Sequence, residues 1–182
     1  MENIGTEFTR ILAIATVLGN VIILMLVASW LFVRPLFGRI MDFIGAHALL
    51  IGLFISAAST VGSLIYSEVV GFPACILCWI QRVFMYPQMF LFALALWRKE
   101  KMIAPYLFLL SLLGGAVALY HWVKDMMLWY GGTTLPCPAI MGLPSCDRIY
   151  VQEFGYVTIP MIALNAFILL AIVTWASMRK TT

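Results

Sequence analysis

Long apolar runs without charged residues recur along the chain and predict membrane-spanning helices. A spanning α-helix needs about 20 mostly apolar residues, and only helices or closed barrels satisfy every backbone polar group within lipid. The runs exceed the length of a barrel strand, so they favour helices. We therefore expect an all-α integral membrane protein with five transmembrane helices, at residues 11–33, 44–66, 76–97, 102–123 and 154–178.

The third candidate helix is unusual because its charge-free part, residues 83–97, is too short to cross a bilayer. It spans only if the helix begins near Ile76, which places Gln81 and Arg82 within its first two turns. A charged residue inside a spanning helix is costly, so it marks a functional position by default. The simpler interpretation is that Arg82 extends to the headgroups from a position near the helix start.

The first candidate helix raises the alternative of a cleaved signal peptide. Its leader carries Glu2, Glu7 and only Arg10, and its apolar run is longer than the roughly 7 to 15 residues of such a peptide. We expect this helix to be retained as a membrane span.

Lys and Arg in short loops set the orientation of a membrane protein, because they stay on the cytoplasmic side. The chain is 64% hydrophobic and 10% charged with a net charge of +3, and nothing in it resembles a nucleic-acid-binding face. The distribution of Lys and Arg among the loops predicts an external N-terminus and a cytoplasmic C-terminus. The cytoplasmic cations would be Arg34, Arg39, Arg98, Lys99, Lys101, Arg179 and Lys180, against Arg10, Lys124 and Arg148 outside.

The four cysteines fall into two pairs, Cys75/Cys78 and Cys137/Cys146, and this topology places both pairs outside the cytosol. Disulfides persist in such an oxidising compartment. Four cysteines allow three pairings, which the sequence alone does not rank. The second pair lies in an external loop, residues 124–153, whose glycines and prolines indicate turns.

The first pair, Cys75-Ile-Leu-Cys78, has the environment of a reactive thiol. A helix start, a nearby cation and the Cys-X-X-Cys spacing each lower a thiol pKa, and Arg82 follows Cys78 by one helical turn. A structural disulfide is the alternative, but so small a ring removes little entropy from the unfolded chain. We interpret Cys78 as an activated redox nucleophile.

The second pair, Cys137/Cys146, closes a ring that would be worth about 2.5 to 3 kcal/mol of stability. Exposure in a loop instead favours exchange with a soluble partner. Together the pairs suggest a relay, in which electrons enter at Cys137/Cys146, pass to Cys75/Cys78 and leave to an acceptor in the membrane. A four-thiolate zinc site is a weaker alternative, since structural zinc pairs usually repeat a short spacing, so we expect no metal.

His121 lies at the outer end of the fourth helix, at the depth of Arg82. It could hydrogen-bond a quinone oxygen or supply its proton. An interfacial histidine without a chemical role is the alternative.

These motifs resemble the DsbB family of disulfide-bond-formation proteins over about residues 44–178, on Cys75-Ile-Leu-Cys78-Trp-Ile-Gln81-Arg82, the later external cysteine pair and Tyr120-His121. The resemblance implies a redox enzyme of the bacterial cytoplasmic membrane. Its electron acceptor would be a membrane quinone, ubiquinone or menaquinone. Its partner would be a soluble DsbA-like thioredoxin-fold protein.

The resemblance also implies a role for each site residue. Cys137 and Cys146 would take electrons from the partner, with Cys137 forming the mixed disulfide, and Cys75 would exchange with that pair. Cys78 would face the quinone. Arg82 and His121 would lie beside the quinone ring. Gln81 stands where the long-loop type of the family has an acidic residue, and it would tune the thiolate.

The family core has four helices, so residues 1–43 would be an extra transmembrane helix with a cytoplasmic loop, and residues 44–182 the four-helix redox bundle. The close spacing of Cys137 and Cys146 resembles the short-loop BdbC branch. Vitamin K epoxide reductase is similar in chemistry but has its cysteine pairs in reverse order. A transporter or scaffold with structural disulfides would need more polar groups within its helices than this chain has.

Overall fold

The structure, a computed structural model, is described for residues 2–100, 102–133, 135–137 and 142–179. Within these residues, five helices are long and apolar enough to cross a membrane, which confirms the predicted all-α membrane fold. Lys101 and Lys180, which contributed to the predicted orientation, lie outside the described residues.

The helices are α1 (Glu2–Phe32), α2 (Arg34–Ala46), α3 (Ala48–Leu64), α4 (Ile76–Arg98), α5 (Ala104–Trp129) and α6 (Ile159–Arg179). A π-helical turn, Ile65–Val69, continues α3 and extends the second span to Val69. Such turns often occur near functional sites, and this one places the Tyr66 side chain in the interior, 5% exposed. The spanning helices are α1, α3, α4, α5 and α6.

Residues 34–43, which we expected to form a loop, belong to helix α2. Pro35 lies in the first turn, where a missing N–H costs little. The helix packs on α1 and α6, and a Cβ at Gly45 would lie 2.5 Å from the Ala176 carbonyl oxygen. Glycine therefore allows the two backbones to touch.

Helix α5 continues beyond its predicted end at residue 123. Its extension buries Lys124 and Asp125, which are 0% and 3% exposed. The external loop therefore begins at Tyr130 rather than at residue 124. This extension brings two charged residues into the neighbourhood of the cysteines.

Two phenylalanines hold the bundle together by packing on glycines. The Phe92 ring of α4 lies against Gly52 of α3, and the Phe167 ring of α6 lies against Gly114 of α5, each 2.3 Å from where a Cβ would stand. Close packing of this kind matters in lipid, because apolar burial by itself gives helices little reason to associate there. The first contact joins α3 to α4 and the second joins α5 to α6.

Candidate functional site

The first cysteine pair lies at the start of α4, because that helix begins at Ile76, as the sequence predicted. Cys75 is the N-cap residue, with extended backbone angles, and its carbonyl accepts the Trp79 N–H at 3.0 Å. Both thiols are free, and their sulfurs are 3.4 Å apart. Cys75 is buried and Cys78 is partly exposed. Little movement is needed to join them as a disulfide.

His121 reaches the cysteine pair from α5. Its Nε2 is 3.9 Å from the Cys75 sulfur, and its Nδ1 is 3.1 Å from the Gln81 side-chain nitrogen. Because an amide N–H can only donate, this contact makes Nδ1 the acceptor and leaves the ring proton on Nε2, which faces the sulfur. The structure thus joins Gln81, His121 and Cys75 in one chain of contacts.

The electrostatic surroundings stabilise a thiolate on Cys75. A hydrogen bond from the Cys78 thiol, and secondarily one from His121, hold the pKa of Cys75 well below its ordinary value despite the opposing effect of burial. Hydrogen bonds to the charged form of a group favour that form. Cys75, and not Cys78 as the sequence indicated, is therefore the sulfur that carries negative charge most readily when both thiols are reduced.

Arg82 is held by α3 rather than extending freely to the headgroups. Its Nε donates to the Ser63 hydroxyl at 2.9 Å, and its Nη2 donates to the Ser63 carbonyl at 3.1 Å. The guanidinium also stacks over Trp79, 5.2 Å from the ring centroid. Arginine has five N–H donors in a rigid fork, so two contacts with Ser63 fix its direction along the cavity wall described below.

The second pair forms a disulfide between Cys137 and Cys146, with Cα atoms 6.2 Å apart. This answers the question of pairing that the sequence left open. Cys146 is 2% exposed, whereas Cys137 is half-buried. The Tyr120 hydroxyl donates to the Pro136 carbonyl and attaches the segment before Cys137 to α5. Cys137 is thus the sulfur of this pair that a partner reaches more easily.

The two cysteine pairs meet in one apolar cluster. Cys75, Leu77 and Cys146 form its buried centre, and Cys78 and Cys137 pack against it. Residues of α4, α5 and the external loop all contribute. The structure therefore brings together four cysteines that are up to 71 residues apart in sequence (146 minus 75), the arrangement that exchange between the pairs requires.

An ion pair ties the loop disulfide to α5. The fully buried Lys124 ammonium donates to the Cys146 carbonyl at 3.0 Å and to the Asp147 carboxylate. Ser145 donates to the same carboxylate. The Lys124 hydrogen bond and then that of Ser145 hold the pKa of Asp147 below its ordinary value. The pairing explains how a lysine can be buried there.

A cavity of about 290 Å³ opens beside the cysteine pair. This is close to the lower end of the roughly 300–1,000 Å³ typical of small-molecule sites. Its lining is mostly apolar. We call the end of the cavity at the start of α4 its polar end, since Ser63, Cys75, Cys78, Arg82 and His121 line it there. Other polar side chains also line the cavity, among them Thr16, Asp125, Arg148 and Asn165.

The same groups offer ligands to a metal. The Cys75 and Cys78 sulfurs and a ring nitrogen of His121 lie within 4.8 Å of one another, and zinc accepts thiolate and imidazole ligands. The alternative of a four-thiolate zinc site does not fit this structure, because Cys137 and Cys146 are consumed by their disulfide. The arrangement is better suited to exchange of disulfides between two pairs.

Five spanning helices and two clustered cysteine pairs, one reduced and one oxidised, define a membrane thiol-disulfide oxidoreductase. The family model described as disulfide bond formation protein DsbB matches residues 45–177. The chain belongs to the DsbB family. No solved structure matches it.

Curated relatives carry names of the same kind. The chain is 35% identical to probable disulfide formation protein C of Bacillus cereus over 74% of this chain and 94% of the relative. It is 31% identical to disulfide bond formation protein C of Bacillus subtilis, over 65% and 83% of the two chains. It is 36% identical to probable disulfide formation protein of Metapseudomonas resinovorans, over 75% and 92%. The predicted resemblance to the DsbB family and its C-type branch is confirmed.

Sequence reasoning did not find every residue that shapes the site. Ser63 was hidden inside a charge-free run, where a lone serine is ordinary. Lys124 was counted only as an external loop cation, and its partner Asp147 lies too far away in sequence to be assigned to it. Asp125, whose carboxylate is 3.8 Å from His121, was missed in the same way.

Proposed function

We propose that the protein is a protein-disulfide:quinone oxidoreductase that supports disulfide formation outside the cytosol. It would oxidise a soluble DsbA-like thioredoxin-fold dithiol and pass two electrons to ubiquinone or menaquinone. The observation that carries this proposal is the meeting of both cysteine pairs in one cluster, with Cys75 and Cys78 also lining a mostly apolar cavity.

The first step is oxidation of the partner at the loop disulfide. A partner thiolate attacks Cys137, the more accessible sulfur, and the disulfide breaks with Cys146 as the leaving thiolate. The Lys124 ammonium at the Cys146 carbonyl places positive charge beside this residue, which favours a thiolate. The second partner thiol then attacks the mixed disulfide, so the partner leaves oxidised and both loop cysteines are reduced.

The second step moves the electrons to α4. The Cys146 thiolate attacks Cys75 in an oxidised Cys75–Cys78 pair, and Cys78 leaves as a thiolate. Cys137 then attacks Cys146, which restores the loop disulfide and releases Cys75. The described structure has the arrangement expected after this exchange, with the loop pair joined and the α4 thiols free.

The third step would reoxidise the α4 pair at the cavity: the S–S bond between Cys75 and Cys78 would form again, and the two electrons and two protons released would go to the acceptor. A bound quinone supplies a two-electron, two-proton acceptor. The cavity fits such a group, because its walls are apolar and the Arg82 guanidinium supplies N–H donors at the polar end. Cys78 presents its sulfur there, Arg82 favours negative charge on a nearby oxygen, and the Nε2–H of His121 faces the Cys75 sulfur and stabilises a thiolate there.

The same proposal includes a location and an orientation. The protein would lie in the cytoplasmic membrane of a bacterium with its N-terminus outside, as the loop cations indicate. Both cysteine pairs would then face the external compartment. An oxidising compartment is where newly formed disulfides persist.

Quinone reduction by the purified protein tests the proposal. With a reduced thioredoxin-fold dithiol as donor, we expect the wild-type protein to reduce the quinone, seen as a fall in quinone absorbance. We expect Cys78→Ala to show only the background rate. Cys137→Ala is the matched control: it should lose turnover with the protein donor but retain it with a small dithiol that reduces the α4 pair directly. Equal rates for wild type and Cys78→Ala would overturn the proposal.

A further inference from the structure

Helix α1 supplies part of the cavity wall although it precedes the residues that match the family model, 45–177. Leu12, Ala15 and Thr16 line the cavity from one face of α1, as their spacing of three and four residues requires. Residues of α3 line the cavity as well. The extra helix is therefore part of the site and does more than add another membrane span.

The contact between α1 and α6 closes one side of the cavity. The Asn165 side chain donates to the Asn20 side chain at 2.7 Å and to the Thr16 carbonyl at 3.4 Å. A Cβ at Gly19 would stand 2.3 Å from the Asn165 oxygen, so glycine permits this close approach. Amide hydrogen bonds between helices hold them together within lipid.

The contact between α1 and α3 closes the end of the cavity near the π-helical turn. The Phe8 and Tyr66 rings meet edge to face at 5.3 Å, and the Tyr66 hydroxyl donates to Thr9 at 3.3 Å. The Leu12 side chain lies 3.7 Å from where a Cβ would stand on Gly62. The two helices therefore touch at this end.

Farther along both helices, the wall is open between α1 and α3. Ala15, one turn beyond Leu12, and Ala58, one turn before Gly62, both line the cavity and yet are not buried. Phe54, on the same face of α3 as Ala58, lines it as well and is 76% exposed. We name Ala15, Phe54 and Ala58 the lateral opening. Its small alanines connect the cavity to the surface that faces lipid.

We propose that the lateral opening admits the isoprenoid quinone from the bilayer and holds its tail between α1 and α3, while the ring reaches Cys78 and Arg82. This inference rests on the proposed function. A lipid-dissolved acceptor needs a path that does not cross water, and the opening is apolar, faces the membrane and leads to the polar end of the cavity. Helix α1 would thus select for acceptors with a tail.

Bulky substitutions at the opening test the inference. Ala15→Trp and Ala58→Trp should narrow the gap, while Ile14→Trp and Val61→Trp are matched controls on the same helices, at exposed positions that do not line the cavity. Each purified variant is assayed with two quinones that share a ring, one with a long isoprenoid tail and one without a tail.

We expect Ala15→Trp and Ala58→Trp to raise the KM for the tailed quinone about tenfold, since the tail would lose its place, and to change the KM for the tailless quinone little. The controls should match wild type with both quinones. Equal KM values across all variants would overturn the lateral opening, and so would equal losses with both quinones. Failure of wild type to reduce either quinone would instead overturn the proposed function.

A second measurement does not depend on turnover. A quinone with a photoreactive group at the end of its tail is illuminated with the protein in lipid vesicles, and the labelled peptides are identified by mass spectrometry. We expect label on Gly5–Phe32 and Ala48–Val69, the spans that border the opening, with less label in Ala15→Trp. Label confined to the other spans would overturn the inference.

Discussion

The two sulfurs of the α4 pair differ because their neighbours differ. Both sulfurs line the cavity, but Cys75 accepts hydrogen bonds from Cys78 and His121, while Cys78 lies one helical turn from Arg82. A negative charge on Cys75 is thus stabilised before any acceptor arrives. In the proposed relay each sulfur would have its own role: Cys75 would exchange with the loop pair, and Cys78 would face the membrane acceptor.

The lowered pKa of Cys75 predicts that it reacts at acidic pH in the reduced protein. A thiolate with a depressed pKa is present above that pKa and is lost only as the pH falls through it, so alkylation should persist well below the midpoint of about 8.5 for a free cysteine. Mass spectrometry of alkylation rates against pH measures this. Cys78→Ala should raise the midpoint most and His121→Ala less, and a wild-type midpoint near 8.5 would contradict the assignment.

The contact between Arg82 and Ser63 predicts an effect on quinone affinity. Ser63→Ala removes one hydrogen bond to the guanidinium, worth about 1.5 kcal/mol when a charged group is involved, and should raise the quinone KM about tenfold. Steady-state kinetics measure the quinone KM. The control is Ser67→Ala, which changes a serine in the π-helical turn after α3. An unchanged KM in both Ser63→Ala and Arg82→Ala would show that Arg82 only extends toward the headgroups.

At the scale of elements, the extension of α5 decides where the loop disulfide lies. The last turns of α5 carry Lys124 to the Cys146 carbonyl and to Asp147. The charge-free criterion ended this helix at residue 123, because the residue that pairs with Lys124 lies 23 positions away in sequence. A rule based on neighbouring residues cannot anticipate such a partner.

Asp147→Asn should loosen the loop disulfide. The loss of the ion pair with Lys124 would cost about 1 kcal/mol, since Asp147 is partly exposed. We expect reduction of Cys137–Cys146 by a small dithiol to become about fivefold faster, the factor that 1 kcal/mol gives. Stopped-flow kinetics measure this reduction rate, and Glu68→Gln is the control. An unchanged rate in Asp147→Asn would rule out a contribution of the Lys124–Asp147 ion pair to the stability of the disulfide.

The same pair predicts a pH dependence. Because the pKa of Asp147 is depressed, its contribution to stability is present above the unfolded value of about 3.9 and is lost as the pH falls below it. The Lys124–Asp147 ion pair should therefore cause no pH dependence in the rate of Cys137–Cys146 reduction between about pH 5 and pH 8, once that rate is corrected for ionisation of the dithiol.

Helix existence was predictable and helix contacts were not. Apolar length alone identified four of the spans. The charge-free part of the third, residues 83–97, is too short to cross a bilayer, so its helix had to begin near Ile76, and this start placed Cys75 and Cys78 at the helix N-terminus. The contact of His121 with Cys75 depends on how α4 packs on α5, and that packing depends on glycines such as Gly114 meeting aromatic rings. The sequence carries no local sign of those contacts.

At the scale of the molecule, the five candidate spans found in the described residues would place the two ends of the bundle on opposite sides of a membrane. The loop cations predict an external N-terminus. A fluorescent protein fused to the C-terminus should therefore fluoresce in the cytosol, and alkaline phosphatase fused after Gly132 should be active outside. The reverse pattern would place both cysteine pairs in the cytosol and contradict the proposed role.

The central claim is that the two cysteine pairs act as one relay through Cys75 and Cys146, the buried cysteines of the shared cluster. The most direct test uses a Cys78→Ala, Cys137→Ala double variant, in which Cys75 and Cys146 have each lost the other cysteine of their pair. The variant is treated with a mild oxidant, and its disulfides are identified by mass spectrometry. We expect a Cys75–Cys146 disulfide joining α4 to the external loop, formed within the monomer. Persistence of both thiols, or disulfides only between different molecules, would contradict the relay.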